Sequence, residues 1–413
     1  MLKQIEGSLG VAEAVALCRP GVVCAYPISP QTHIVENLGK FVKTGTLKDC
    51  EFLNVESEFS AISVAIGSEV GGARTYTATA SQGLLYMTEG IFSASGLGLP
   101  IVMTVASRAI GGPINIWNDH SDSLSQRDSG WLQLFCESNQ DAVDTHIMAF
   151  KIAEKVGLPV MVCMDGYVLT HAFERLEIPS QETVDKFLKE YEPNEYLTTK
   201  EPVSIGAMVG PEAFTEVRIL QQRKMAKALE VIEEVTKEYR ELTGSKSGGL
   251  LDCYNCENAV LKLIILGSTV GTAKDEIDRL KDEGINVGII SLKSFRPFPY
   301  EALAKAIGDT KQVICVERAF SFGARGIICP EVKRAMEGTS CDVKTVVAGL
   351  GGRPIFGTTI NGIVKDALAG KLTEEFTFFD ANAGVLNSYT QKTEGVKFEN
   401  GPISQSAIEN SVK

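Results

Sequence analysis

The stretch RTYTATASQGLLYMTEGIFSASGLGLPIVMTV, residues 74–105, decides the fold class. Residues 74–79 are rich in β-forming side chains, residues 82–96 fit a helix, and Pro100–Val105 is an apolar run of strand length. A strand, a helix and a second strand in this order predict a right-handed crossover between parallel neighbours. The stretch therefore predicts a doubly wound, parallel α/β sheet.

Strands and helices alternate on both sides of this stretch. The further elements predicted in this half are a helix at 8–18, strands at 22–26 and 51–55, a helix at 58–71, a helix near 139–155 and a strand at 158–163. We therefore expect residues 1–171 to form the first domain. Residues 172–258 contain four prolines in a loop-rich stretch and then a charged helix at about 216–242, which predicts a linker with a long helix.

A second α/β unit is predicted at residues 259–371. It contains predicted strands at 261–266, 286–291, 312–316 and 343–347, and a helix at 270–283. Residues 372–413 are mixed and polar, which favours an arm that wraps a partner.

Composition excludes several classes of protein. The chain has 413 residues and a net charge of -12, so it lacks the basic stripe of a nucleic-acid-binding protein. Its longest apolar runs have strand length, which argues against a membrane span. The ten cysteines are scattered, and we interpret them as reduced thiols of a cytoplasmic protein. For Cys253 and Cys256 half of a zinc or iron–sulfur site is the alternative.

Four polar clusters follow predicted strands of the first domain, where open parallel sheets bind ligands. The first is YPISPQT, residues 26–32. Ser29 and Pro30 are predicted as the N-cap and first residue of a helix, whose free amides favour an anion. Ser29 and Thr32 could donate hydrogen bonds to a carboxylate. A capped helix start without a ligand is the alternative.

The second cluster is VESEFSA, residues 55–61. Glu58 opens a helix of small and apolar residues, so one carboxylate enters a tightly packed element. Buried there, it could share a proton with a ring nitrogen of a ligand. An ordinary glutamate in the first turn, favoured by the helix dipole, is the alternative.

The third and fourth clusters follow the two strands of the opening stretch. In TASQGL, residues 79–84, small side chains would let a flat ligand approach the backbone, although a tight turn explains them equally well. Arg108 follows the next strand and could pair with a carboxylate, and Gly111 and Gly112 leave space beside it. A surface arginine is the alternative. His120 lies between two aspartates, but we predict no metal site.

Together these clusters resemble the alpha subunit of pyruvate:ferredoxin oxidoreductase and its 2-oxoacid relatives. The resemblance extends to about residue 365 and is specific, because many motifs occur in the family's order. These motifs are YPISPQT, VESEFSA, TATASQGL, SRAIGGPINIWNDHSD, RDSGW, PVMVCMDGYVLTH, GSTVGTAKD, SFRPFP and CVERAFSFGARG.

The resemblance implies a pyrimidine-binding domain of a thiamine diphosphate enzyme, followed by a transketolase C-terminal-like domain. It implies that Glu58 is catalytic and hydrogen-bonds N1′ of the cofactor's aminopyrimidine. The further residues that it implies are Pro27, Ser81 and Gln82 for the cofactor, and Ser29, Arg108, Ile28, Gly111 and Gly112 for the substrate. The family usually has threonine where this chain has Ser29, but the hydroxyl is retained.

The activity that the resemblance implies is oxidative decarboxylation of a 2-oxo acid, such as pyruvate, to acyl-CoA, carbon dioxide and low-potential electrons. The chain lacks GDG followed by a distant NN, and it lacks a ferredoxin-type cysteine run. A beta subunit would therefore hold Mg²⁺ and the diphosphate. Gamma and ferredoxin-like delta subunits would complete the complex, other subunits would carry [4Fe-4S] clusters, and ferredoxin or another acceptor would take the electrons. The chain alone is expected to be inactive.

Three alternatives remain. Pyruvate-type relatives carry bulkier residues at Gly111 and Gly112, so an aromatic 2-oxo acid such as phenylglyoxylate is one hypothesis, with NAD as a further acceptor through other subunits. A non-catalytic scaffold is the second, although Glu58 and Arg108 argue against it. A nucleotide-binding dehydrogenase is the third, and the missing G-x-G-x-x-G disfavours it.

Overall fold

The structure is a computed structural model, and it describes residues 1–394 and residue 403. Two compact units are present. The first comprises Met1–Leu250 and Lys293–Pro299, and the second comprises Leu251–Leu292 and the chain from Tyr300 onward.

Fifteen strands occur within the described residues. They are β1 (Leu2–Glu6), β2 (Val22–Ala25), β3 (Glu51–Asn54), β4 (Thr75–Thr79), β5 (Val102–Ser107), β6 (Leu132–Phe135), β7 (Val160–Asp165), β8 (Phe173–Glu177), β9 (Leu251–Tyr254), β10 (Leu261–Ile265), β11 (Val287–Leu292), β12 (Ser294–Arg296), β13 (Gln312–Glu317), β14 (Asp342–Val347) and β15 (Phe376–Phe378).

The same residues contain fourteen α-helices, and none of them is both long and apolar enough to cross a membrane. They are α1 (Gly7–Leu17), α2 (Thr32–Lys43), α3 (Glu58–Val70), α4 (Ser81–Tyr86), α5 (Thr88–Leu97), α6 (Ser121–Ser125), α7 (Asn139–Val156), α8 (Gln181–Phe187), α9 (Phe214–Thr243), α10 (Thr269–Asp282), α11 (Tyr300–Ile307), α12 (Ile328–Ala335), α13 (Gly357–Leu368) and α14 (Ala383–Glu394).

The main sheet of the first unit confirms the predicted doubly wound parallel fold. Its seven described strands lie in the order β12-β6-β7-β5-β4-β2-β3, and all neighbours are parallel except β12 against β6. Strands β4, β5 and β7 are buried along their whole length, as expected for a sheet with helices on both faces. The carboxyl ends of β7, β5, β4, β2 and β3 are therefore neighbours at one edge.

The strands β1, β8 and β12 were not predicted. β1 and β8 form a separate antiparallel pair, with Glu6 opposite Phe173, and β12 adds three residues to the edge of the main sheet. Their sequences LKQIE, FERLE and SFR are short and mix charged with apolar residues, so periodicity does not identify them as strands. Pairing with distant segments stabilises them instead.

Residues 172–250, predicted as part of a linker, belong to the first unit. Helix α9 packs beside α7, and its buried face contains Ala228, Val231, Ile232, Val235 and Tyr239. The hydroxyl of Tyr239 donates a hydrogen bond of 2.8 Å to Asp144. The many charged residues of α9 lie on its other face. Its composition alone therefore indicated an exposed helix.

The second unit has six described strands in the order β15-β14-β13-β10-β11-β9, all parallel except β9. Glu317 at the end of β13 is buried, and its carboxylate accepts hydrogen bonds from the backbone N–H groups of Ile327 and Ile328 at the start of α12. Part of the proposed arm, 372–413, forms β15 and α14. Residues 395–402 and 404–413 of it lie outside the described residues.

Candidate active site

The candidate site lies at the carboxyl edge of the main sheet. The predicted clusters follow β2, β3, β4 and β5, which are adjacent strands of that sheet, and the loop after β7 joins them. Loops that leave neighbouring parallel strands meet at the same edge. The fold thus brings together four clusters that are far apart in sequence.

Glu58 is the first residue of α3, and Ser57 caps this helix by accepting a hydrogen bond from the Ser60 N–H at 3.1 Å. The small residues of α3 allow close packing, and Glu58 is only 8% exposed. Its carboxylate makes no hydrogen bond or ion pair with any of the described residues, residues 1–394. A buried carboxylate without a partner is costly, so a ligand that supplies a donor would be favoured here.

Gly83 and Thr79 lie against this carboxylate. A Cβ atom at Gly83 would be 2.6 Å from Oε1 of Glu58 and 2.6 Å from Oγ1 of Thr79. The hydroxyl of Thr79 is buried and finds no partner among residues 1–394. Only glycine at position 83 therefore leaves room for both polar groups.

Arg108 follows β5 and is buried although charged. Its Nε donates to the carbonyl oxygen of Asn115 at 3.1 Å, and Nη1 donates to that of Ser29 at 2.9 Å. Nη2 makes no hydrogen bond within the described residues. Two backbone contacts orient the guanidinium, and one nitrogen stays available for an anion.

The loop after β2 differs from the prediction at its helix start. Pro27 and Ser29 are exposed and Ile28 is half-buried, while α2 begins at Thr32 with Gln31 at its N-cap. The predicted N-cap at Ser29 was wrong, because Ile28 to Gln31 form a turn in which the Gln31 N–H donates to the Ile28 carbonyl at 3.0 Å. The Ser29 hydroxyl is consequently not used for capping.

Asp122 holds the loops after β4 and β5 together, and sequence reasoning did not single it out for this role. Its Oδ2 accepts hydrogen bonds from the N–H groups of Ser81 at 2.8 Å and Arg108 at 3.0 Å, and Oδ1 accepts from that of Ser123 at 2.6 Å. Burial raises the pKa of Asp122 to about 7, while the three N–H donors act in the opposite direction. A single side chain thus sets the spacing of the loops after β4 and β5.

Ser81 and Gln82 begin α4 and differ in whether their side chains are free to hydrogen-bond a ligand. The hydroxyl of Ser81 is used within the chain, since it donates to the Ala109 carbonyl at 2.5 Å and contacts Oε1 of Gln82. Ser81 has a φ of 50°, and its N–H is held by Asp122. The Nε2 atom of Gln82 has no hydrogen-bond partner among residues 1–394, so it is the freer of the two predicted cofactor contacts.

Local geometry explains why positions 111 and 112 of the fourth cluster are glycines, and the explanation differs between the two. A Cβ atom at Gly111 would collide with Nε2 of Gln82. Gly112 has a φ of 110°, which side chains other than glycine rarely adopt. Neither glycine requires a large substrate to explain it.

His120 pairs with Asp165 rather than with either of the aspartates near it in sequence. Its Nε2 lies 2.7 Å from Oδ1 of Asp165 at the end of β7, and both side chains are buried. Asp119 instead accepts from the N–H of Ser121 at 2.9 Å. His120 therefore links the fourth cluster to the loop after β7.

The residues at this edge fit an aminopyrimidine ring. Glu58 offers a buried oxygen acceptor without a partner, and the hydroxyl of Thr79 lies beside it. Gly83 and Gly111 keep side-chain atoms away from the space next to Glu58 and Gln82. A flat ring with nitrogen donors and acceptors can use these groups.

Comparison with known proteins agrees with this chemistry. Residues 13–237 match the thiamine diphosphate-binding domain of pyruvate flavodoxin/ferredoxin oxidoreductase, and residues 259–360 match pyruvate:ferredoxin oxidoreductase core domain II. Pyruvate synthase subunit PorA of Methanosarcina barkeri is 42% identical over 92% of this chain and 97% of its own length. Ketoisovalerate oxidoreductase subunit VorA of Pyrococcus horikoshii is 37% identical over 91% of this chain and 97% of its own length.

A solved structure shares the fold. The 2-oxoglutarate:ferredoxin oxidoreductase from Magnetococcus marinus, with 2-oxoglutarate, coenzyme A and succinyl-CoA bound, superposes with a TM-score of 0.70 at 19% identity. The match covers 88% of this chain, which spans 65% of the length of that protein's chain. These similarities define the class as 2-oxoacid oxidoreductases that use thiamine diphosphate. The chain belongs to the pyruvate flavodoxin/ferredoxin oxidoreductase family, and the predicted family is confirmed.

Proposed function

We propose that this chain is the subunit of a pyruvate:ferredoxin oxidoreductase complex that binds the aminopyrimidine of thiamine diphosphate and the carboxylate of the 2-oxo acid. The observation that carries the proposal is the Glu58 carboxylate, which is buried and has no partner within residues 1–394. Thiamine diphosphate, when bound, supplies the carbon nucleophile and the electron sink that decarboxylation of a 2-oxo acid requires. The residues of this chain would position the cofactor and the substrate and would supply the charged groups that bind them.

Glu58 would hold a proton between its carboxylate and a ring nitrogen of the aminopyrimidine. Glu58 is only 8% exposed, and Gly83 keeps the position beside it free of side-chain atoms. Hydrogen bonds to charged groups strengthen when solvent is excluded. Gln82 would add a donor through its free Nε2, and Pro27 and Ser81 would complete the cofactor wall.

Arg108 and Ser29 would bind the carboxylate of the substrate. The free Nη2 of Arg108 and the exposed, uncapped hydroxyl of Ser29 belong to two loops that are already joined through Arg108 Nη1. Two donors fixed to each other lose little entropy when an anion binds. Ile28, Gly111 and Gly112 would border the same pocket.

Pyruvate is the proposed substrate because the PorA relative is 42% identical to this chain and the VorA relative 37%. The PorA relative is named for pyruvate and the VorA relative for ketoisovalerate. Initial rates with pyruvate, ketoisovalerate and phenylglyoxylate would rank these three 2-oxo acids as substrates in one assay. A kcat/KM for phenylglyoxylate above that for pyruvate would favour the aromatic hypothesis.

The remaining parts of the reaction are proposed to lie on other subunits. A beta subunit would hold Mg²⁺ and the diphosphate, and gamma and ferredoxin-like delta subunits would accompany it, with [4Fe-4S] clusters passing electrons to ferredoxin. Coenzyme A would accept the acyl group. The names of the two relatives describe subunits, which supports this division. Ten free cysteines accord with a reducing, cytoplasmic setting.

The test is Glu58→Gln in the complex assembled with its partner subunits. We expect pyruvate-dependent ferredoxin reduction to fall at least a thousandfold, because the amide cannot carry the proton, while subunit assembly and thermal stability stay within error. Glu56→Gln is the matched control, since Glu56 is two residues away and exposed. Unchanged turnover in Glu58→Gln would instead favour a scaffold, and so would an active complex assembled without this chain.

A further inference from the structure

We propose that Glu6, His33 and His171 form a binding site for a divalent transition-metal cation, with zinc as the reference ion. One ligand atom from each of these side chains lies within 4.8 Å of the other two. None of these three residues is proposed to bind the cofactor or the substrate, so the inference does not depend on the proposed function. Glu6 and His33 are 27 residues apart in sequence, and His33 and His171 are 138 apart, so no local sequence motif indicates the site.

The donor set suits such a cation. Two imidazoles and a carboxylate are ligands of zinc and also of ferrous iron, whereas calcium and magnesium prefer oxygen alone. Nδ1 of His33 already lies 2.8 Å from Oε1 of Glu6, and the rings of His33 and His171 have centroids 4.8 Å apart at a tilt of 34°. Ligand atoms of a tetrahedral zinc ion are separated by about 3.3 Å, so modest side-chain rotation closes the site.

Glu6 and His171 are held at a fixed separation by the backbone. The N–H of Gly7 donates to the carbonyl of Ala172 at 2.9 Å, and that of Ser8 donates to the carbonyl of Thr170 at 2.9 Å. A Cβ atom at Gly7 would collide with the carbonyl oxygen of Leu169, which shows how closely these segments approach. This rigidity is what a preformed metal site needs.

The surrounding contacts leave the ligand atoms usable. Glu6 occupies the N-cap position of α1, but its side chain makes no capping hydrogen bond. Nδ1 of His171 lies 2.7 Å from the hydroxyl of Thr170, which itself accepts from the Tyr167 N–H at 2.8 Å. A hydrogen bond of this kind orients a metal-binding imidazole through its other nitrogen.

The position of His33 means that a bound cation would affect the start of α2. His33 lies in the first turn of α2, directly after the loop that carries Ser29, and its side chain is 45% exposed. A bound cation would join this turn to the end of β1 and to the segment before β8. It would restrain the start of α2 while leaving at least one coordination position open to solvent.

The experiment is calorimetric titration of the full chain with Zn²⁺ in a Cys253→Ser, Cys256→Ser background, which removes the thiol pair as a competing site. We expect one Zn²⁺ per chain and at least tenfold weaker binding in His33→Gln and in His171→Gln. Glu36→Gln, an exposed carboxylate one turn further along α2, is the matched control and should bind as the parent does. Competition with Fe²⁺ under anaerobic conditions decides which of the two ions the site prefers.

A spectroscopic variant separates ligation from a structural effect. With Co²⁺ as the probe, the parent should show a visible ligand-field spectrum without thiolate charge transfer, and His33→Cys should add a thiolate-to-cobalt band. Circular dichroism checks that each variant is folded. Absence of Zn²⁺ binding in the parent, equal affinity in folded His33→Gln and His171→Gln, or no new band in cobalt-loaded His33→Cys would each overturn the proposal.

Discussion

The guanidinium of Arg108 donates a 2.9 Å hydrogen bond from Nη1 to the backbone carbonyl oxygen of Ser29. This bond joins the loops that follow β5 and β2. The two residues are proposed to bind the same substrate carboxylate, so the bond fixes one carboxylate donor relative to the other before substrate arrives. Because the two donors are already fixed relative to each other, less entropy is lost when the carboxylate binds.

Arg108→Lys should therefore impair substrate binding despite retaining the charge. A lysine ammonium cannot contact Asn115, Ser29 and a substrate carboxylate with the planar geometry of a guanidinium. We expect kcat/KM for pyruvate to fall about tenfold to a hundredfold, mainly through KM, as for a lost charged hydrogen bond worth about 1.5–3 kcal/mol. Steady-state kinetics of the complex measures this, and an unchanged KM would argue against carboxylate binding by Arg108.

Gly83→Ala should displace the Glu58 carboxylate. The added Cβ would lie 2.6 Å from both Glu58 Oε1 and Thr79 Oγ1, so one of these groups must move. We expect thiamine diphosphate affinity of the complex to weaken about tenfold or more, with turnover reduced at saturating cofactor. Fluorescence titration with the cofactor and ferredoxin reduction report the two effects.

Gly67→Ala is the matched control for that variant. Gly67 lies in the same helix as Glu58, and a Cβ atom there would meet nothing within 4 Å. Replacing a helical glycine by alanine stabilises by about 0.4–1 kcal/mol when no clash results. Gly67→Ala should keep full activity, and an equal loss in both variants would assign the effect of Gly83→Ala to the helices in general.

Asp122→Asn should destabilise the fold and disturb the site together. The amide oxygen can accept from the N–H groups of Ser81 and Arg108 or from that of Ser123, but the amide nitrogen then faces a donor. We expect the free energy of unfolding to fall by about 1–3 kcal/mol in chemical denaturation of the isolated chain. Asp128→Asn, at an exposed position, should change it by less than about 0.5 kcal/mol.

Much of the fold followed from periodicity. The pattern predicted β4, β5, β10 and β11 within two residues of their observed ends, because their buried residues form continuous apolar or β-branched runs. The predicted helix at 82–96 is divided at Met87 into α4 and α5. Sequence periodicity does not report such a break when both halves have the same helical period.

The candidate site was predictable only in part. The sequence indicated Glu58 because it opens a helix of small and apolar residues, and Arg108 because it directly follows a predicted strand. The role of Asp122 depends on backbone N–H groups from two distant loops, and no pattern of side chains encodes that contact. The same holds for Glu6, His33 and His171, which only the pairing of β1 with β8 and the packing of α2 bring together.

The cysteine pair of the second unit gives a prediction that depends on pH. The neighbouring thiol of Cys256 lowers the pKa of Cys253 to about 7. The thiolate is the reactive form, so alkylation of Cys253 by iodoacetamide should speed up about tenfold from pH 6 to pH 8 and then level off. Mass spectrometry of the isolated chain, quenched at intervals, measures the rate at this residue.

Cys256→Ala removes the neighbouring thiol and should return the midpoint for Cys253 towards an ordinary thiol value of about 8.5. At pH 7 alkylation of Cys253 would then slow about sixteenfold, while the rate at pH 10 would stay nearly the same because the thiolate dominates in both proteins. Cys50 is the internal control, since burial raises its pKa to about 11 and it should remain unlabelled at pH 8. A midpoint that does not move in Cys256→Ala would mean that the thiol of Cys256 does not lower the pKa of Cys253.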